Sequence, residues 1–321
     1  MKIFVDNVYS KVECSDEQAL FLDRQLAVKI KGAEFSQLVR KRRWAGKKHF
    51  FQRFKRKILT GLICRVKAIF PKVEIIETRK LYSIPSPKII GANIENCLAG
   101  GELSTFQAEA AIAAIYKRRG ILKMATNSGK TEVAAAITKM LGVKTIVIVH
   151  LKQLLHQTAE RFERRLGQEI GRIGDGVFDI KPVTIATMQT LGKRLDDDNE
   201  ILKDFKCMFI DECHRASGDT YVNIAEHCPA EFRYGLSGTP FMQDEVRDWQ
   251  LMALTGPVLY EVLQSELMKS GWSANAEVIL IPFIENKPRE NWPICYQNFL
   301  ENKTYNHRIS ELAVELARKE E

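Results

Sequence analysis

Apolar and polar positions along this chain change rhythm near residue 104. Downstream of it, the amphipathic stretch TFQAEAAIAAIYKRR leads into the apolar run GILKMA, and similar runs recur as KTIVIVH, VTIAT, CMFID and YGLSGTP, separated by helical spacing. Short, nearly continuous apolar runs between helices predict strands buried on both faces, hence a parallel sheet in an α/β architecture with ligands at the carboxyl ends of its strands. Upstream, MKIFVDNVY, AVKIKG and KVEIIETRK have strand character and flank a basic block, which predicts a small α+β module over residues 1–90. IPSPKIIGANIE, around 84–95, carries turn residues without a clear period and marks the candidate linker, placed at 91–103 between the two domains. The α/β domain is expected over 104–300, with EVILIPFI as a late strand, and a helix over 301–321.

Composition narrows the classes. Lys and Arg number 48 against 40 Asp and Glu, a formal charge of +8 with a pI near 9.0, which suits a polyanionic partner without identifying one. The seven cysteines, at 14, 64, 97, 207, 213, 228 and 295, form no CxxC pair, so a reducing, cytosolic setting with unpaired thiols is expected. No apolar run approaches the roughly 20 residues of a membrane span, and the N-terminus lacks the apolar core of a signal peptide.

The chemistry begins at Met124-Ala125-Thr126-Asn127-Ser128-Gly129-Lys130-Thr131, which follows an apolar strand and opens a helix. Backbone N–H groups of Thr126 to Gly129 at a helix N-terminus suit a phosphate chain. Lys130 is expected to reach the β and γ phosphates of ATP, and the Thr131 hydroxyl to coordinate Mg2+. Met124 replaces the first glycine of GxxxxGK[ST], and Asn127, a residue tolerant of left-handed backbone, stands where related loops often carry another. SGKT alone also fits a capped surface helix, the lesser of the two readings. The run Cys207-Met208-Phe209-Ile210-Asp211-Glu212-Cys213-His214 changes that balance. A buried strand ending on two carboxylates, about 80 residues downstream, needs a counter-charge, and Mg2+ held by phosphates supplies one. Asp211 is assigned to the metal, Glu212 to polarising the attacking water, and His214 to sensing the γ-phosphate.

DECH, together with GKT, Gly235-Leu236-Ser237-Gly238-Thr239-Pro240 and Thr187-Met188-Gln189-Thr190, resembles the first RecA-like motor lobe of superfamily 2 helicases and translocases. Phe106-Gln107 is similar to that family's adenine-recognising segment, and Ile146 to Leu155 to its first strand-contacting motif. The resemblance implies that Gln107 binds adenine and that His150, Lys152, Thr187 and Gln189 lie near a nucleic-acid backbone. It further implies that Ser237 and Thr239 couple the nucleotide to the strand. Singly, LSGTP is also a turn and TMQTL a helix start; their order after GKT favours the functional reading.

Between Arg40 and Lys57 stand ten Lys or Arg, no acid, and Trp44, Phe50, Phe51 and Phe54. Such a block suits phosphate neutralisation and base stacking; a solvated basic face over core aromatics is the competing reading. Arg43-Trp44-Ala45-Gly46-Lys47-Lys48 and Lys57 to Leu62 resemble the N-terminal module of UvsW-like phage DNA helicases, with Trp-Ala-Gly in place of Trp-Asp-Gly. That resemblance implies DNA, branched or forked, as partner, with Arg42, Arg43, Trp44, Lys47 and Lys48 in contact, and a cytoplasmic setting, that of the host for a phage-encoded chain. Too few residues follow Pro240 for a second α/β domain, so a second RecA-like lobe is expected in the full-length protein. A nucleic-acid-binding module that no longer hydrolyses ATP, and an RNA helicase, are the alternatives.

Overall fold

A computed structural model describes residues 1–216, 218–241, 244–273 and 301–317. Its first element, β1 (Lys2–Val5), alternates exposed and buried positions, as a strand with one face on a core must. It pairs antiparallel with β2 (Tyr9–Glu13). Ser15 then caps α1 (Asp16–Gln25) in a capping box with Gln18, and the helix buries Ala19 and Leu22. The ribbon of β3 (Ala27–Lys29) and β4 (Lys47–His49) encloses α2 (Gln37–Arg40). Two short strands, β5 (Phe51–Gln52) and β6 (Lys57–Leu59), lead to α3 (Ile63–Ile69) and β7 (Glu74–Glu77). The sheet order is β5-β6-β2-β1-β7, with β7 parallel to β1.

The main domain follows the expected alternation: α4 (Pro87–Asn93), α5 (Thr105–Lys117), β8 (Arg119–Met124), α6 (Lys130–Leu141), β9 (Thr145–Val149), α7 (Lys152–Leu166) and the hairpin β10 (Gly171–Gly174) with β11 (Val177–Asp179). Then come β12 (Val183–Thr187), α8 (Met188–Asp197), β13 (Cys207–Asp211), α9 (Asp219–His227), β14 (Phe232–Ser237), α10 (Glu245–Leu254), β15 (Val258–Val262) and α11 (Gln264–Lys269). The eight strands lie in the order β11-β10-β12-β9-β13-β14-β8-β15, parallel except for the β10–β11 hairpin.

Burial explains why the apolar runs lack a polar phase: every residue of β9, β12 and β14 is buried. Val147 and Val149 join one core with Ala111 of α5, Val133 of α6 and Phe162 of α7, while Ile146 and Ile148 join the opposite core with Leu191 of α8 and Leu251 of α10.

The second core is also the core of the N-terminal module, because Ile3, Leu22, Phe51, Ile58 and Leu62 are continuous with it. Met1 to Ala274 accordingly form one compact unit. Polar contacts reinforce the junction: Asn7 donates its amide to Pro229 O at 3.0 Å, the Tyr9 hydroxyl donates to Glu226, and Arg119 donates to Asn7 O and Thr255 O.

The expected linker 91–103 is packed rather than free. Ile90, Ile94 and Leu98, four apart, and Leu103 are buried in the first core, so α4 and the segment up to α5 serve the lobe. EVILIPFI lies outside the described residues, and the helix expected in the tail spans Lys303–Ala317. Among the described residues no helix is long and apolar enough to cross a membrane. Cys14, Cys64, Cys97, Cys207, Cys213 and Cys228 are free thiols; Cys295 lies outside the described residues.

Gly61 sits where the module meets α10, and a Cβ there would fall 2.1 Å from Met252 O and 2.6 Å from Ala253 O. Gly61→Ala is therefore expected to destabilise the whole unit by about 1–3 kcal/mol, the range for overpacking. Urea unfolding followed by tryptophan fluorescence checks this through a lowered midpoint.

Candidate nucleotide site and strand track

The loop after β8 has the backbone that a phosphate cradle requires. Asn127 (φ 64°) and Gly129 (φ 78°) are both left-handed, and Ser128 N donates to Ala125 O at 3.2 Å. Met124 stands inside β8 with its side chain fully buried, so the loop's left-handed turns begin later and a glycine is not needed there. Lys130 opens α6 half-buried, and its ammonium donates to Met124 O and Ala125 O at 3.4 and 3.5 Å. Thr126 and Asn127 are exposed and Thr131 half-buried, whereas Ser128 is buried with a hydroxyl lacking any partner.

Gln107, expected at adenine, has its amide engaged within the chain. It is 7% exposed, its Oε1 accepts from Ser104 N at 3.0 Å, and its Nε2 donates to Ser128 O at 2.9 Å. Both ends of the amide are thus used inside the chain, one capping α5 and the other bracing the phosphate loop. Gly129 lies beside it, its left-handed backbone favouring glycine, and a Cβ there would stand 2.3 Å from that Nε2 and displace it.

Parallel registration brings the remaining groups to the same edge. β14 lies between β8 and β13, with Ser237 opposite Lys123 and Leu236 opposite Asp211. The turn after Ser237 packs on the loop so closely that a Cβ on Gly238 would lie 3.2 Å from Met124 O. Glu212 leaves the strand with a left-handed backbone (φ 45°). His214 Nδ1 lies 3.1 Å from Ser237 Oγ and 3.3 Å from Glu212, while Ser237 Oγ accepts from Thr239 N at 3.2 Å. His214 Nδ1 thus stands within reach of both the Glu212 carboxylate and Ser237 Oγ, and Ser237 links on to Thr239 N.

Burial raises the pKa of Asp211, the adjacent Glu212 charge raises it further, and Lys130 opposes both. The Tyr221 phenol, pushed up to about 12 mainly by burial and next by Asp211, has a buried hydroxyl with no partner. Among the described residues no cluster of three or more His, Cys, Asp or Glu could hold a metal ion. Asp211 and Thr131 are hard oxygen donors of the kind Mg2+ takes together with phosphate.

The strand-contacting candidates divide. His150, at the end of β9, is half-buried, with Nδ1 unpartnered and its pKa lowered by burial and then by Arg215, so it offers a neutral ring rather than a counter-charge. Gln189 is exposed and donates to His150 O at 3.2 Å. Lys152 is exposed at the start of α7. Thr187, expected beside a nucleic-acid backbone, is instead 3% exposed, its hydroxyl bonded to that of Thr190 and packed against Gly174. Thr187 thus holds the β12–α8 corner rather than facing solvent.

In the basic block, Arg42, Arg43, Trp44, Val39 and Ala45 line a surface cavity of about 330 Å³, and the Trp44 indole donates to Lys47 O. Arg42, Arg43 and Lys47 are exposed. Lys48 instead donates to Gln250 on α10, so it ties the module to the lobe. Phe50 and Phe51 are core residues, Phe50 lying against Trp249, which removes both from base stacking. Phe54 is 90% exposed, with the Arg53 guanidinium over its ring.

Sequence reasoning missed Asp175 and His156, which surround Lys152. Their signal was the Asp-Gly pair between two apolar runs, a hairpin turn.

Residues 101–242 match the family model described as "Type III restriction enzyme, res subunit". The DNA 3'-5' translocase XPB2 of Sulfurisphaera tokodaii is 30% identical over 203 residues, covering 63% of this chain and 44% of that protein. The ATP-dependent DNA helicase uvsW of Enterobacteria phage T4 is 28% identical over 245 residues, covering 67% and 46%. The chain spans less than half the length of the curated relatives it matches. A crystal structure of T4 UvsW superposes with a TM-score of 0.71 at 20% identity, over all of this chain and 68% of that one. Fold and motif order give residues 101–242 a likeness to the first RecA-like lobe of superfamily 2 helicases and translocases. In fold, N-terminal module included, the chain resembles T4 UvsW.

Because the folded-state pKa of Asp211 is raised, the wild type loses stability as pH rises through that pKa, while an asparagine stays neutral throughout. Asp211→Asn is expected to unfold at higher denaturant than wild type at pH 7, with the difference vanishing below the ordinary aspartate pKa. Urea midpoints measured across pH 3.5–7.5 check the sign.

Proposed function

We propose that this chain is the nucleotide-binding half of an ATP-dependent DNA helicase or translocase acting on branched or forked DNA. One observation carries the reading: the β8–β14–β13 registration that gathers Lys130, Ser237 and Asp211 at the carboxyl edge of one sheet. The relatives described above are a DNA 3'-5' translocase and an ATP-dependent DNA helicase, while two more distant ones, 27% and 29% identical over shorter stretches, are described as RNA helicases.

In this reading the N–H groups from Thr126 to Gly129 and the N-terminus of α6 hold the phosphate chain, and Lys130 exchanges its two carbonyl contacts for phosphate oxygens. Mg2+, when bound, screens the phosphate charge, and Thr131 and Asp211 are the residues that would hold it. Pairing of that kind stabilises the ionised form of Asp211, which burial disfavours. Glu212 orients the attacking water and accepts its proton. His214 lies in contact with both Glu212 and Ser237, so a change at the carboxylate reaches Ser237 and Thr239 directly. Arginines of a second RecA-like lobe complete the charge stabilisation, worth roughly 10³- to 10⁵-fold in related phosphoryl transfer. Gln189 and Lys152 touch the strand from the lobe, and Arg42, Arg43, Trp44 and Lys47 grip DNA from the module.

Fluorescent ATP-analogue binding with and without magnesium, run beside forked-DNA binding, tests the proposal. Lys130→Ala is expected to weaken nucleotide binding at least tenfold and to leave DNA binding within about twofold. A wild-type chain that binds no nucleotide would contradict the motor reading, and equal affinity for forked DNA and RNA would remove the DNA preference. Multiple-turnover hydrolysis by this chain alone is expected to be slow, on the order of 10³-fold below that of a two-lobed enzyme.

A further inference from the structure

The turn between β10 and β11 makes a contact that the fold does not require. Asp175 (φ 51°) and Gly176 (φ 80°) form its tip, both left-handed. The Asp175 carboxylate accepts from Lys152 Nζ at 2.9 Å through one oxygen and lies 3.1 Å from His156 Nε2 through the other. Lys152 and His156 occupy the first two turns of α7, directly after His150 at the end of β9.

All three side chains face water, with 74% of Lys152, 42% of His156 and 41% of Asp175 exposed. Ion pairs this exposed contribute little to stability, so the contact is not a staple. Nor does the turn need the charge, since asparagine fills a left-handed position at least as well as aspartate. What the carboxylate does is neutralise the lysine of the strand track, one oxygen per donor, as two oxygens of a phosphate diester would. The hairpin lies at the sheet's edge: β11 is paired only with β10 among the described residues, and its Val177 and Phe178 are exposed, the latter under the Arg194 guanidinium.

We propose that Asp175 is an internal stand-in for a strand phosphate, holding Lys152 and His156 until nucleic acid displaces it. The proposal rests on the reading of Lys152 as a strand contact. Each binding event exchanges one anion for another at Lys152, and the released carboxylate takes up a counter-ion that offsets part of the release from the phosphate. The device lowers affinity for any polyanion and flattens its salt dependence, so that engagement at this position requires the strand to be gripped elsewhere as well.

The test is fluorescence anisotropy of labelled single-stranded DNA against salt for the wild type, Asp175→Asn, Lys152→Ala and the double variant. Asp175→Asn is expected to bind about two- to fivefold tighter at low salt and to steepen the slope of log affinity against log salt by a fraction of the ~0.7 that one phosphate of a single strand contributes. The gain should largely disappear in the Lys152→Ala background, because the aspartate acts through that lysine. Unchanged affinity in Asp175→Asn, with wild type still binding and weakened by Lys152→Ala, overturns the stand-in alone. A gain of equal size without Lys152 also overturns it, reducing the effect to general charge. No loss on Lys152→Ala overturns the reading of Lys152 itself, and the stand-in with it.

Discussion

Three parallel strands set everything else in this molecule. β14 lies between β8 and β13, and because parallel neighbours end at the same edge, the residues that follow them must meet there. The phosphate loop follows β8, the Ser237–Pro240 turn follows β14, and the acid pair closes β13. None of these groups is positioned by its own loop alone. Gly238 is pressed on Met124 O, and Gln107 reaches from α5 to Ser128, so the loop is held from both sides before any ligand arrives. A shift of one residue between β8 and β14 would reverse the faces of a strand buried on both sides and break both cores.

The same sheet gives the N-terminal module its place. Apolar residues on one face of the sheet share a core with Ile3, Leu22 and Ile58, so the basic surface is fixed to the motor lobe rather than tethered to it. Lys48 illustrates the consequence: a cation in a run that looks uniformly available to phosphate is occupied by Gln250 across the junction. Charge counted along a sequence thus overstates charge presented on a surface. Burial at the end of β13 leaves Asp211 with a raised pKa, so the site is least comfortable when its acid is ionised and unaccompanied.

Much of this was legible from sequence, for identifiable reasons. Continuous apolar runs betray strands buried on both faces, and the left-handed tolerance of Asn127 anticipated its φ of 64°. What misled was tertiary context. Thr187 sits in a motif associated with strand contact, yet its side chain lies inside the β12–α8 corner, a direction no local pattern encodes. Phe51 and Phe54 look alike in sequence, but one is core and the other 90% exposed. Residues 91–103 carry turn formers that mask the four-residue spacing of Ile90, Ile94 and Leu98, and so read as a spacer. Gln107 shows a further limit, since the amide expected at adenine is engaged by Ser104 and Ser128.

The central claim is that one sheet edge assembles a single phosphate site from three separate segments. Hydrogen–deuterium exchange with and without magnesium and a non-hydrolysable ATP analogue addresses it most directly. The account predicts that the amides of residues 126–131, 211–214 and 237–239 gain protection together, at one ligand concentration, and that Lys130→Ala removes all three responses at once. Protection confined to 126–131, with the other two segments unchanged at saturation, would contradict it.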